Sequence, residues 1–209
     1  TAIQKIAGAT DIDDYRVLAL VSFLGKWLMR VATMILQPYV PTSWYRDILV
    51  YGFTASYSTA GVSALIRQAM WISTVWGRDL VVTSADVYKC FDNIDPEIVH
   101  LALVEANCPK WLVWVIMREW EDLKAQLRVL DAEHGAEFPY VHGAKTGSVE
   151  APRLLNLLWQ VFGQPLLQSW KRRGFGITFE EADVACATPE AADPLLVVFW
   201  ADNVFFFSK

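Results

Sequence analysis

Two aspartates in this chain stand where apolar runs break. Asp86 closes the stretch Asp79-Leu80-Val81-Val82-Thr83-Ser84-Ala85-Asp86, and Asp202 sits in the break Ala201-Asp202-Asn203 between Leu195–Trp200 and Val204–Phe207. Short apolar runs bounded by turn formers read as buried strands. The last two runs read as a hairpin, because Asp and Asn tolerate the backbone geometry of tight turns. A lone Asp in such a turn is more often just a turn former. Two carboxylates ending neighbouring strands suit a definite chemistry. Hard divalent cations take carboxylate oxygens and keep water and phosphate oxygens as their other ligands, which is what two-metal phosphoryl transfer requires. Zinc chemistry is not indicated, since Cys90, Cys108 and Cys186 form no C-x-x-C pair and His100, His134 and His142 do not fall at ligand spacing with them.

The elements that must position these carboxylates follow from periodicity and punctuation. Leu20, Phe23, Leu24, Trp27, Leu28, Val31 and Ile35 recur at helical spacing. They predict a core helix over 17–37, with Lys26 and Arg30 on its solvated side and Pro38 and Pro41 ending it. Residues 45–53 read as a connection. Ser56 or Ser58 caps a second helix to about residue 76, and Gly77-Arg78 turns into the strand that ends at Asp86. Asp95 as cap and Pro96 at the first position start a helix to about residue 106. Pro109 opens another, from 111 to about 123. Strands are expected at 126–130 and 138–141 around Glu133-His134-Gly135, then a glycine-bearing loop over 142–148. A helix runs from Pro152 to about 170, and loop material with a short strand at 176–179 leads to the hairpin. The order predicts an α+β fold with an antiparallel sheet packed on helices.

Composition sets the bounds. With 54% hydrophobic residues and 10 Trp in 209, the chain can bury a sizeable core and is not disordered. Its net charge of −5 argues against a stand-alone nucleic-acid binder, which is normally basic. Lys26 and Arg30 interrupt the most apolar early stretch, so no membrane span is expected. The chain opens without Met and stops at Ser208-Lys209, directly after a strand, and is expected to be a piece of a longer protein.

Taken together, the motifs resemble those of reverse transcriptases of the non-LTR (LINE-like) retrotransposon kind. Asp86-Val87-Tyr88-Lys89-Cys90-Phe91-Asp92 is similar to the family's first catalytic motif. Gly143-Ala144-Lys145-Thr146-Gly147-Ser148, with Pro152 and Asn156, is similar to the second, and Trp200-Ala201-Asp202-Asn203 to the third. Tyr15-Arg16 and Gly52-Phe53 resemble two upstream fingers motifs. The resemblance implies a palm-like antiparallel sheet on helices over 79–209 and a mostly helical fingers portion over 1–78. It implies RNA-directed DNA polymerase chemistry, with Asp86, Asp202 and Asn203 at the catalytic centre. Magnesium or manganese would be held by Asp86, Asp202 and the Val87 carbonyl. The nucleotide would be bound by Arg16, Val87, Lys89, Cys90, Phe91, Thr146 and Gly147, with Phe91 as a gate that excludes a ribose 2′-hydroxyl. The implied partners are an RNA template, a DNA primer and dNTPs, engaged through a full-length parent that supplies thumb and endonuclease portions. The implied residence is the nucleus or cytoplasm.

Several positions depart from the family pattern. Asn203 replaces a second Asp, Thr146 a Gln, Thr54 an Arg, and Val17 a Pro. Three readings therefore stand side by side: a polymerase domain, a palm fold that has lost catalysis and at most binds nucleic acid or protein, and an unrelated α+β domain whose aspartates are turn formers. The isolated chain is expected to show little or no polymerase activity.

Overall fold

A computed structural model describes residues 2–4, 15–17, 21–40, 49–54, 57–121, 123–126, 128–129, 132–133, 137–140, 142–145, 147–178 and 194–209. In chain order the elements are β1 (Ala2–Gln4), β2 (Tyr15–Val17), α1 (Phe23–Leu36), β3 (Leu49–Val50), α2 (Thr59–Trp76), β4 (Val81–Asp86), α3 (Pro96–Glu105), α4 (Lys110–Met117), β5 (Lys124–Ala125), β6 (Arg128–Val129), β7 (Ala132–Glu133), β8 (Phe138–Pro139), α5 (Ala151–Arg172), β9 (Val197–Trp200) and β10 (Asn203–Ser208). They fall into two compact units, each made of separate stretches: Thr1–Val40 with Lys89–Leu155, and Pro41–Tyr88 with Asn156–Lys209. A boundary at 78, as read from the sequence, falls within the second of these. Among the described residues no helix is long and apolar enough to cross a membrane.

The second unit is built on a four-stranded sheet in the order β3-β9-β10-β4. β10 pairs antiparallel with both β9 and β4, and β3 adds to β9 in parallel. The two apolar runs of the hairpin are nearly continuous because both faces of the sheet are covered. On one face Val197, Phe199 and Val204 pack with Val50 and Leu167, and Trp159, Trp170 and Phe206 close over them. On the other, Val198 and Phe207 pack with Val62 and Ala69 of α2, joined by Phe205 and Trp200. The alternation of β9 and β10 between these clusters is the period of 2 that a strand imposes. α2 begins where Ser58 accepts the Gly61 N–H and ends at Gly77, which takes a left-handed conformation (φ 61°) open to glycine.

In the first unit α4 packs against both α1 and α3. Val99, Leu103, Leu112 and Ile116 are wholly buried there. Asp95 caps α3, its Oδ1 accepting the Glu97 N–H at 2.8 Å, and Pro96 occupies the first turn, where its missing N–H costs nothing.

The structure corrects several expectations. Tyr15–Val17 is a strand paired with β1, and the first helix starts only at Phe23, after Ser22 accepts the Gly25 N–H. Its buried residues are Met29, Ala32, Thr33 and Leu36, not the expected stripe: Phe23 is 81% exposed and Trp27 61%. Helix α4 stops at Met117, short of 123. Beyond it Glu119 pairs with Lys145 (2.7 Å) and the Trp120 indole donates to the Gly143 carbonyl (2.9 Å), which draws the chain out of the helix. The stretch 45–53 contains a strand, β3. The partner of β8 is Lys124–Ala125, and Arg128–Val129 pairs instead with Ala132–Glu133. The expected short strand at 176–179 is a single bridge from Ile177 to Leu195, with Phe179 outside the described residues.

Candidate functional site

In the second unit the register brings the two aspartate-bearing segments to one end of the sheet. Asn203 lies directly opposite Asp86 on the paired β10 and β4, so the two side chains share a face. One step further the Val87 N–H donates to the Asp202 carbonyl at 2.9 Å, prolonging the ladder past the strand end. Asp86 is exposed, and Val87, Asp202 and Asn203 are half-buried. The Asn203 amide donates to Asp202 Oδ1 at 3.3 Å. Among the described residues no group of three or more His, Cys, Asp or Glu side chains converges. The register sets Asp86 opposite Asn203, with Asp202 next to it in the chain. Carboxylate and amide oxygens are the donor type that a magnesium-like ion takes, its remaining ligands coming from water and phosphate.

The turn that carries Asp202 is a two-residue loop, Ala201–Asp202, between Trp200 and Asn203. Ala201 has a positive φ of 56° while Asp202 is not among the positive-φ residues. Positive φ at the first central position only is the pattern of a type II′ hairpin turn, which normally asks for Gly there. Gly52 lies against this turn so closely that a Cβ on it would stand 2.2 Å from the Ala201 nitrogen. The Tyr51 and Gly52 N–H groups both donate to the Phe199 carbonyl, at 2.8 and 3.4 Å. From α5, Asn156 Nδ2 donates to the Gly52 carbonyl (2.8 Å) and the Trp159 indole N–H to the Ala201 carbonyl (3.3 Å). The Trp159 ring also packs 4.5 Å from that of Phe199. Gly52 and Asn156 are visible in the sequence as parts of motifs. Trp159, one of 10 tryptophans, carries no local signal that marks it.

In the first unit the residues after Tyr88 and the glycine-bearing loop are joined through the backbone. The Ala144 N–H donates to the Phe91 carbonyl (2.7 Å) and the Gly143 N–H to that of Ile94 (3.1 Å). Gly143 has φ 88°, and a Cβ on it would meet the Asp92 carbonyl oxygen at 2.7 Å, so the chain's own packing already demands glycine. Lys89 is in a turn at φ 46°, Cys90 is buried, Phe91 is half-buried, and Gly147 is exposed at φ 101°. Beside the loop Glu150 is 3% exposed. Burial pushes its carboxyl above the usual range, partly offset by a backbone hydrogen bond, by Ser148 and by the Lys145 charge. Thr146 lies outside the described residues. Arg16 is in β2, paired with Ile3 of β1, and its side chain lies outside them.

The architecture defined by this hairpin, its partner strand and the flanking helices is a reverse-transcriptase-like α+β fold. Apo telomerase from Candida tropicalis, truncated from its C-terminal domain, matches with a TM-score of 0.55 over 87% of this chain, at 11% identity. Telomerase from Candida albicans, in complex with a TWJ fragment of telomeric RNA, matches 89% of the chain at 11% identity and a TM-score of 0.48. The chain spans 33% and 30% of those two solved chains. No family model matches the chain, and no curated protein does.

Proposed function

We propose that the chain is the palm and fingers part of an RNA-directed DNA polymerase of the non-LTR retroelement kind, acting within a longer protein by two-metal nucleotidyl transfer. The observation that carries this reading is the register of β4 and β10, which sets Asp86 and the Asp202 turn at the same end of one sheet. Asp86, Asp202 and the Val87 carbonyl would hold magnesium or manganese, with Asn203 contributing a neutral oxygen. Such ions, when bound, activate a primer 3′-hydroxyl and neutralise the leaving pyrophosphate. Phe91 would exclude the 2′-hydroxyl of a ribonucleotide by filling its space. The turn at Lys89 and Cys90, together with Arg16, Thr146 and Gly147, would meet the nucleotide, backbone turns being natural phosphate cradles. RNA template, DNA primer and dNTPs are the partners that this chemistry needs.

One observation favours a second reading, a palm fold without catalysis. The Asn203 amide donates to an Asp202 oxygen that a cation would need, and Asn supplies one charge fewer than Asp. Calorimetric titration with manganese, with and without dNTP, separates the two. On the polymerase reading the wild type binds and Asp86→Ala and Asp202→Ala each abolish binding. A folded wild type that binds no cation even with dNTP present establishes the second.

A further inference from the structure

The Ala201–Asp202 turn is held in a conformation that its own sequence disfavours. A non-glycine residue at positive φ is strained and persists only where the surroundings over-determine it. Those surroundings converge here from two sides. Gly52 abuts the Ala201 nitrogen with no room for a Cβ. Its carbonyl is in turn clamped by the buried Asn156 amide, which also reaches Thr54 Oγ1 at 3.3 Å. Thr54 Oγ1 itself donates to the Val50 carbonyl at 2.9 Å, tying this clamp to the end of β3. From α5 the Trp159 indole donates to the Ala201 carbonyl while its ring lies on Phe199, one residue before the end of β9.

We infer that Trp159, Asn156 and Gly52 are positioning residues for Asp202: by holding the peptide that precedes it, they set the direction in which its carboxylate leaves the turn. Asn156 and Trp159 donate to the backbone carbonyls of Gly52 and Ala201, not to the side chains of Asp86, Asp202 or Asn203. The consequence for cation binding rests on the reading of Asp202 as a ligand, whereas the buttressing of the turn does not. The arrangement also accounts for two residue types at once. Gly52 has no side chain because the turn occupies that space. Position 201 tolerates Ala, where a free type II′ turn would want Gly, because the strain is opposed from outside.

The test uses the full chain and two substitutions. Trp159→Phe keeps the ring against Phe199 and removes only the N–H donor. Ala201→Gly removes the strain that the donor opposes. In Trp159→Phe the backbone couplings of Ala201 measured by NMR, which report the sign of φ, are expected to lose their positive-φ signature. Manganese affinity is expected to fall about fivefold, the size of one net hydrogen bond. Adding Ala201→Gly to Trp159→Phe is expected to recover most of that affinity, a rescue that general loosening of the fold would not produce. Ala201 couplings unchanged in Trp159→Phe overturn the inference, and so does an affinity loss that Ala201→Gly fails to recover. Altered couplings in a chain whose wild type binds no manganese support the positioning and refute the metal reading instead.

Discussion

At the scale of single residues, Gly52 and Glu150 show how backbone space and burial govern the neighbourhood of the two motif segments. A Cβ at position 52 would stand 2.2 Å from the Ala201 nitrogen, a backbone atom that cannot swing aside like a side-chain tip. Gly52→Ala is therefore expected to destabilise the chain by about 3 kcal/mol, at the upper end of overpacking effects. A drop in the urea midpoint at unchanged m-value is the measurement, and a midpoint within error of wild type would refute the close contact. Glu150 gives a pH signature. Its carboxyl is raised above the ordinary glutamate value of 4.5, chiefly by burial. A group raised in the folded state contributes its full stability below its unfolded value and loses it as pH rises through the folded one. Glu150→Gln should therefore match the wild type near pH 4 and become progressively the more stable of the two toward neutrality. Parallel stability–pH curves for the two proteins would contradict this.

At the scale of elements, α1 and the hairpin show what periodicity alone can say. The helix is apolar on more than one side, so spacing identifies a helix without telling which side is core. The structure buries Met29, Ala32 and Leu36 and leaves Phe23, Leu24 and Trp27 exposed. Leu36→Ala is expected to cost about 2–5 kcal/mol, as buried large-to-small substitutions do. Trp27→Gln should stay within about 0.5 kcal/mol of wild type, as surface substitutions do. Thermal unfolding of the two variants distinguishes the faces, and a reversed order would restore the stripe expected from the sequence. In the hairpin the same limitation does not arise. Its strands are buried on both faces by α5 and α2, so every position over Val197–Trp200 and Val204–Phe207 is apolar and the element is plain from composition, although its helical neighbours are not. The caps were equally legible: Ser58 and Asp95 do locally what their types predict. The end of α4 was not, because Glu119 and Trp120 leave the helix for partners 26 and 23 residues away.

At the scale of the whole molecule, the chain is wound so that neither unit is continuous in sequence. The sheet of the second unit takes β3 and α2 from before residue 78 and β4, β9 and β10 from after it. A polypeptide spanning only 79–209 would lack β3, which pairs with β9 in parallel, and the helix carrying Val62 and Ala69, which cover Val198 and Phe207. It is expected to show no cooperative unfolding transition by circular dichroism, whereas the full chain is expected to show one. A cooperative transition in the shorter polypeptide would establish a self-sufficient palm portion.

The fold class, the hairpin with Asp202 at its tip, the strand ending at Asp86 and most helix starts are legible in local stretches of sequence. These depend on local rules: capping, and short apolar runs broken by polar residues; the turn's own backbone, with its positive φ at Ala201, does not follow from them. Tertiary structure alone decided the register that sets Asp86 opposite Asn203, the buried side of α1, the parallel addition of β3, and the packing of Gly52 and Trp159 against the Asp202 turn. Each of these joins residues far apart in the chain, and which partner a side chain or strand edge finds depends on how the elements pack. No window of local sequence contains that information.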